Sequence, residues 1–266
     1  MNPVRTRLAA AVVGVGLVIA TPVAAWAGPR RPVSTAPTSS SQNPTDTTRP
    51  GGSGGVPREA SIEDLRARCL AAIDVRLPAL AAAKTALSGH EHVTDDHEAA
   101  LTADLDETAA RLRVLAEEIK ADTDVAALRE HCRSIFEDNR VFALVLPRVR
   151  LVAGADTASD AGAKLRDVAG KLADAIAQAE AAGRDVTQAK LDLNLMKAHI
   201  ASGVASAGSV AGSVLGLTPA DWNANHEVLT PARQSLRSAR ADLKVARDFA
   251  RKIRNELRPS TTPPQV

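Results

Sequence analysis

The sequence predicts an all-α protein: an elongated helical bundle of coiled-coil-like antiparallel hairpins, closed by one disulfide. Three observations carry that expectation. Apolar residues recur at three- and four-residue spacing through most of residues 61–258, the pattern of amphipathic helices. The apolar stock is alanine, leucine and valine, and the chain has no Tyr and only three Phe, which suits close, narrow helix packing. The only two cysteines, Cys69 and Cys132, both fall on apolar helical faces, as a bridge between packed helices requires.

The elements follow in order. Arg5 and Arg7 precede an uncharged apolar run, Leu8 to Ala20, and Ala25-Trp26-Ala27 offers small residues to a signal peptidase, so residues 1–27 read as an export leader. The run is shorter than the roughly 20 residues a membrane span needs. Residues 28–60 are rich in Pro, Ser, Thr and Gly with little to bury, the composition of a disordered linker. The helical bundle domain is expected over 61–258 and a disordered tail over 259–266.

Ser61 with Asp64 three residues on reads as the start of a first helix. Pro78 is expected to kink it and Ser88-Gly89 to end it. Leu101, Leu105, Thr108, Leu112, Leu115 and Ile119 then repeat in heptad order, the clearest seam in the chain. Thr123-Asp124 opens a third helix carrying Cys132. Val141 to Val152 reads as a buried, kinked continuation of it. A further helix is expected to end at Gly183 and another to span Val186 to Leu217. Thr218-Pro219 and Thr230-Pro231 each read as an N-cap followed by proline, the second opening a last helix that runs to about Arg258.

An exported chain with an even cysteine pair points to a disulfide between Cys69 and Cys132, and the leader implies a secreted or cell-envelope setting. The sparse aromatic content argues against ring-stacking recognition of sugars or single-stranded nucleic acid. No nucleophile elbow, H-E-x-x-H helix or Gly-rich phosphate loop is present, so the expectation is a non-enzymatic protein without a cofactor. No stable transmembrane span is expected once the leader is gone.

Two features carry functional expectations. Arg233, Arg237, Arg240, Lys244, Arg247, Arg251, Arg254 and Arg258 alternate at spacings of four and three, a basic ridge beside an apolar stripe on one helix. Segment 228–258 has nine basic and three acidic residues, net +6, and segment 61–140 has ten basic and seventeen acidic, net −7. Either the ridge lies along the acidic helices and sets their register, the reading that the near-cancellation favours, or it faces outward and binds an anionic wall polymer or lipid. The turn His90-Glu91-His92-Val93-Thr94-Asp95-Asp96-His97 gives a second candidate, a divalent-metal site of His90, His92 and His97, against a default of solvated turn residues. Gly208, Gly212 and Gly216 form a G-x-x-x-G-x-x-x-G run, expected to permit tight packing inside the bundle.

The segments Cys69-Leu-Ala-Ala-Ile-Asp, Arg140-Val-Phe-Ala-Leu-Val-Leu-Pro and Leu217-Thr-Pro-Ala-Asp-Trp-Asn-Ala-Asn resemble a group of exported, uncharacterised, alanine-rich helical proteins of actinobacteria. That resemblance implies an envelope or extracellular setting and brings no activity or site residues with it. The expected role is a spacer or interaction module, with an anionic envelope polymer or another envelope protein as partner.

Overall fold

The computed structural model describes residues 61–258, so the expected export leader (1–27), linker (28–60) and tail (259–266) lie outside the described residues. Seven helices make up the domain: α1 (Ile62–Ser88), α2 (Asp95–Ala121), α3 (Val125–Glu137), α4 (Leu146–Ala181), α5 (Thr187–Val214), the short α6 (Pro219–Ala224) and α7 (Thr230–Glu256). No strand occurs among the described residues. Helices α1, α2 and α3 pack together, and α4, α5 and α7 form a second set.

Helix starts follow local side-chain chemistry. Ser61 and Asp64 form a reciprocal capping box at α1, Asp124 caps α3, and Thr218 with Asp221 repeats the box at α6. Each arrangement satisfies backbone N–H groups that a helix leaves without internal partners. At α7 the structure differs from expectation. Pro231 does lie in the first turn, but the Thr230 hydroxyl donates to Glu227 and makes no cap.

Helix α1 runs unbroken from Ile62 to Ser88 with Pro78 inside it. One other boundary differs. The segment beginning at Val141 does not continue α3. Arg140 adopts a left-handed backbone (φ 37°), which breaks the chain direction. A π-turn at Val141–Val145 then leads into α4, 36 residues long and so about 54 Å. Pro147 falls in the first turn of α4, directly after the π-turn. Gly183, with φ 78°, ends α4, and the Arg184 N–H turns back to the Ala179 carbonyl at 3.1 Å.

The heptad seam of α2 is buried throughout, from Leu101 to Ile119. It belongs to a core that includes α1, α3, the first half of α4, the end of α5 and the start of α7. A second core gathers Ala169, Ile176, Met196, Ile200, Ala246 and Ile253 from the other halves of α4, α5 and α7. The long α4 therefore contributes to both.

Cys69 and Cys132 are bonded, with Cα atoms 5.5 Å apart, and fasten α1 to α3. Arg148 of α4 is almost wholly buried and bonds Asp104 of α2 and the Leu217 carbonyl. The order of contacts between α4 and α7, Gly154 with Leu236 and then Gly162 with Leu243, makes these two helices parallel. Helix α5 runs the opposite way to α7, its Asp192 meeting Lys252 and its Ser202 meeting Asp242.

The glycines correct an expectation. Gly208, Gly212 and Gly216 face open space: a Cβ added at any of them meets nothing within 4 Å. The close approaches are made by Gly162, where a Cβ would stand 2.3 Å from Val204, and Gly203, where it would stand 3.1 Å from the Ala239 carbonyl of α7.

Candidate anion-binding surface

Helix α7 has three functional strips. Leu236, Ala239, Leu243, Ala246 and Ile253 are buried and form its packing seam. The flank toward α5 is occupied by specific bonds. Asp242 meets His199 Nδ1 at 2.9 Å and accepts from the Ser202 hydroxyl at 2.7 Å, and Lys252 Nζ lies 2.7 Å from buried Asp192. Hydrogen bonds from Ser202 and then His199 hold the Asp242 carboxyl below its ordinary pKa, while Asp192 pushes Lys252 up.

The remaining flank carries the basic ridge. Arg233, Arg237, Arg240, Lys244, Arg251, Arg254 and Arg258 are exposed, and Arg247 is half-buried with its Nε enclosed and without a hydrogen-bond partner. One acid interrupts the row: Asp248 lies 3.2 Å from Arg251 and 3.8 Å from Lys244. Among the described residues, Arg233, Arg237, Arg240, Arg247, Arg254 and Arg258 make no ion pair. Arg240 leans across Gly154 of α4, where an added Cβ would come within 2.9 Å of its Nη2.

This placement differs from a ridge laid along the acidic N-terminal helices. The helices that α7 packs against are α5 and α4, through its apolar seam, small residues and the Asp242 and Lys252 bonds to α5. Overall charge balance constrains net repulsion, not which helix neighbours which. The physical consequence is a line of charge that one acid, Asp248, neutralises only in part. Successive ridge cations are about 5 Å apart along the axis. That is less than the Debye length of about 8 Å at physiological salt, so their fields add, whereas at 1 M salt, with a length of about 3 Å, they do not.

The histidine-rich turn meets two carboxylates of α4. His97 Nδ1 lies 2.8 and 3.0 Å from the two oxygens of Asp156 on α4, and the Thr94 N–H donates to the same carboxylate at 3.2 Å. His92 Nδ1 lies 3.2 Å from Asp160, one turn further along α4. His90 stands edge-on to His92 with ring centroids 5.9 Å apart, its Nδ1 enclosed and unpartnered. Two of the three histidines thus turn toward different carboxylates, and no cluster of three or more metal-ligating side chains forms among the described residues. The arrangement latches the α1–α2 turn onto α4. Asp156 lies 59 positions beyond His97 and Asp160 four further on, and nothing in the turn itself signals them.

No helix among the described residues is long and apolar enough to cross a membrane. Comparison of the chain with protein-family models, curated proteins and solved structures found no match.

Proposed function

We propose that the chain is an exported, non-enzymatic helical module of the cell envelope that attaches to an anionic envelope polymer through the α7 ridge. One observation carries this reading: seven of the eight ridge cations are exposed on a helix whose packing partners are α4 and α5. A row of guanidinium groups suits repeated phosphate or carboxylate, because each can donate two parallel hydrogen bonds to one anion. Polymer is favoured over a lipid bilayer by the fate of the apolar stripe. A helix that lies in a membrane interface inserts its apolar face, and here Leu236, Leu243 and Ile253 are already buried in the bundle. The rest of the fold serves as the scaffold that holds the ridge straight over about 38 Å.

The test is retention on purified cell walls across a salt series, comparing the native chain with Lys244→Glu/Arg251→Glu/Arg254→Glu. Arg247 is left intact because its enclosed position would confuse binding with folding. The native chain is expected to bind at 0.15 M salt and elute by 1 M, and the triple variant to lose at least tenfold in affinity. Equal retention of the two removes the ridge from the attachment and with it this function.

A further inference from the structure

The acidic half of the domain contains a small surface of inverted sign. Where α1 and α3 are stapled by Cys69–Cys132, a cleft of ≈ 370 Å³ opens between them. Its apolar lining is Leu65, Ala72, the cystine and Phe136. Its charged lining is Arg68, Arg129 and Arg133, with no carboxylate. Segment 61–140 holds seventeen acidic residues against ten basic, so three arginines without one acid run against the regional trend.

The guanidinium groups have capacity to spare. Arg129 makes no ion pair or hydrogen bond among the described residues. Arg68 uses its Nε on the Asp64 carbonyl at 3.1 Å, leaving its two Nη groups free. Arg133 is tied to Glu130 at 2.9 Å, a pair in which both side chains are more than half exposed and which contributes little stability. At one end of the cleft, Phe136 is 46% exposed, in a chain with only three phenylalanines to bury. Arg76 lies over its ring at 4.5 Å and over half-exposed Phe142 at 5.4 Å. The Arg76 Nη1 is anchored on the Ala72 carbonyl at 2.7 Å, and its Nε is enclosed without an acceptor. The result is an apolar floor ending in an aromatic ring, with cations around it.

We propose that this cleft binds a single-chain anionic amphiphile of the fatty-acid type. The alkyl chain covers Leu65, Ala72, Phe136 and the cystine, and Arg129, assisted by Arg68 and Arg133, holds the carboxylate. A hydrophilic polymer would leave the apolar floor wet, and a neutral lipid would leave the guanidinium groups unmatched. The cleft is shallow and open to solvent, so the alkyl chain would lie along its floor with one side still exposed. The site is separate from the α7 ridge and does not depend on the function proposed for it.

Calorimetric titration of the purified full chain with laurate, below its micelle concentration, tests the assignment. The expected result is saturable binding of one laurate per chain, at least tenfold tighter than the neutral detergent dodecyl maltoside. Arg129→Glu/Arg133→Glu, two exposed positions, is expected to weaken it at least tenfold. Lys244→Glu/Arg251→Glu on the ridge is expected to leave it unchanged. Absence of saturable binding, equal affinity for the neutral detergent, or loss in the ridge variant alone overturns the proposal. Phe136→Trp supplies a readout independent of charge reversal. Its emission is expected to shift on adding laurate above the constant signal of Trp26 and Trp222, and an unchanged spectrum also overturns the proposal.

Discussion

The α1–α3 set and the α4–α5–α7 set are joined in one core yet are held together by different means. In the first, large side chains such as Leu101, Leu105, Leu112 and Ile119 fill the space between helices, and a covalent bond fixes α1 to α3. In the second, small residues bring backbones close: Gly203 sits against the Ala239 carbonyl, and Gly162 sits under Val204. Large side chains can repack around a small change, but a helix pair in contact through glycine has no slack for a methyl group. The first set therefore depends on a bond between positions 63 apart in sequence, and the second on the absence of single atoms.

The largest expected effect comes from breaking the first arrangement. Cys69→Ser/Cys132→Ser removes a cross-link whose chain-entropy contribution is about 4 kcal/mol. Chemical denaturation monitored by helical circular dichroism is expected to show a loss of that order. A change below about 1 kcal/mol would mean that side-chain packing alone holds α1 to α3.

A pair of alanine substitutions sharpens the second. Gly162→Ala places a methyl group 2.3 Å from Val204, whose branched side chain has little rotamer freedom, and is expected to cost about 2 kcal/mol. Gly212→Ala fills open space on the same bundle and is expected to stabilise by up to about 1 kcal/mol through helix propensity. Opposite signs in thermal melts confirm that close approach is local to Gly162 and its neighbours; a cost at both sites contradicts it.

The smallest effect concerns acid. The Asp242 carboxyl is held below its ordinary value of 3.8 by the Ser202 hydroxyl and His199. A depressed carboxylate contributes stability that is fully present above that ordinary value and is lost as pH falls through the folded one. Asp242→Asn is thus expected to lower the urea midpoint at pH 7, with the gap to the native chain closing below pH 3.8. A gap that stays constant down to pH 2.5 would show that the carboxylate charge has no part in holding α5 to α7.

The same contrast separates what could be read from sequence from what could not. The α2 seam was legible because six buried positions repeat in heptad order, and the caps at Ser61, Asp124 and Thr218 were legible because they are local chemistry. The continuity of α4 was not, since Val141 to Val152 read as an extension of α3 and the helix ending at Gly183 as a separate element. Periodicity also misassigned the glycines. It shows that Gly208, Gly212 and Gly216 share a face, but burial follows the neighbouring Ala207, Val210, Ala211 and Val214, which turn the glycines outward. The basic ridge was visible as spacing, whereas its exposure depends on which helices α7 meets. The cleft arginines carry no sequence signal at all, because Arg68 and Arg129 become neighbours only when α1 and α3 cross.

The position of the Cys69–Cys132 bridge has a mechanical meaning. Tension applied at the start of α1 reaches the bridge after eight residues and passes directly into α3, whose Cys132 lies fourteen positions ahead of Leu146, where α4 begins. The rest of α1 and the whole of α2 lie on the slack side of that shortcut. A chain pulled between its N-terminal segment and its last helix would bear load along α3, α4, α5 and α7, while the α1–α2 hairpin and its latch on Asp156 stay unstretched. Its greatest extension is shorter by the 63 positions the bridge encloses, so the molecule behaves as a shorter strap carrying an unloaded loop.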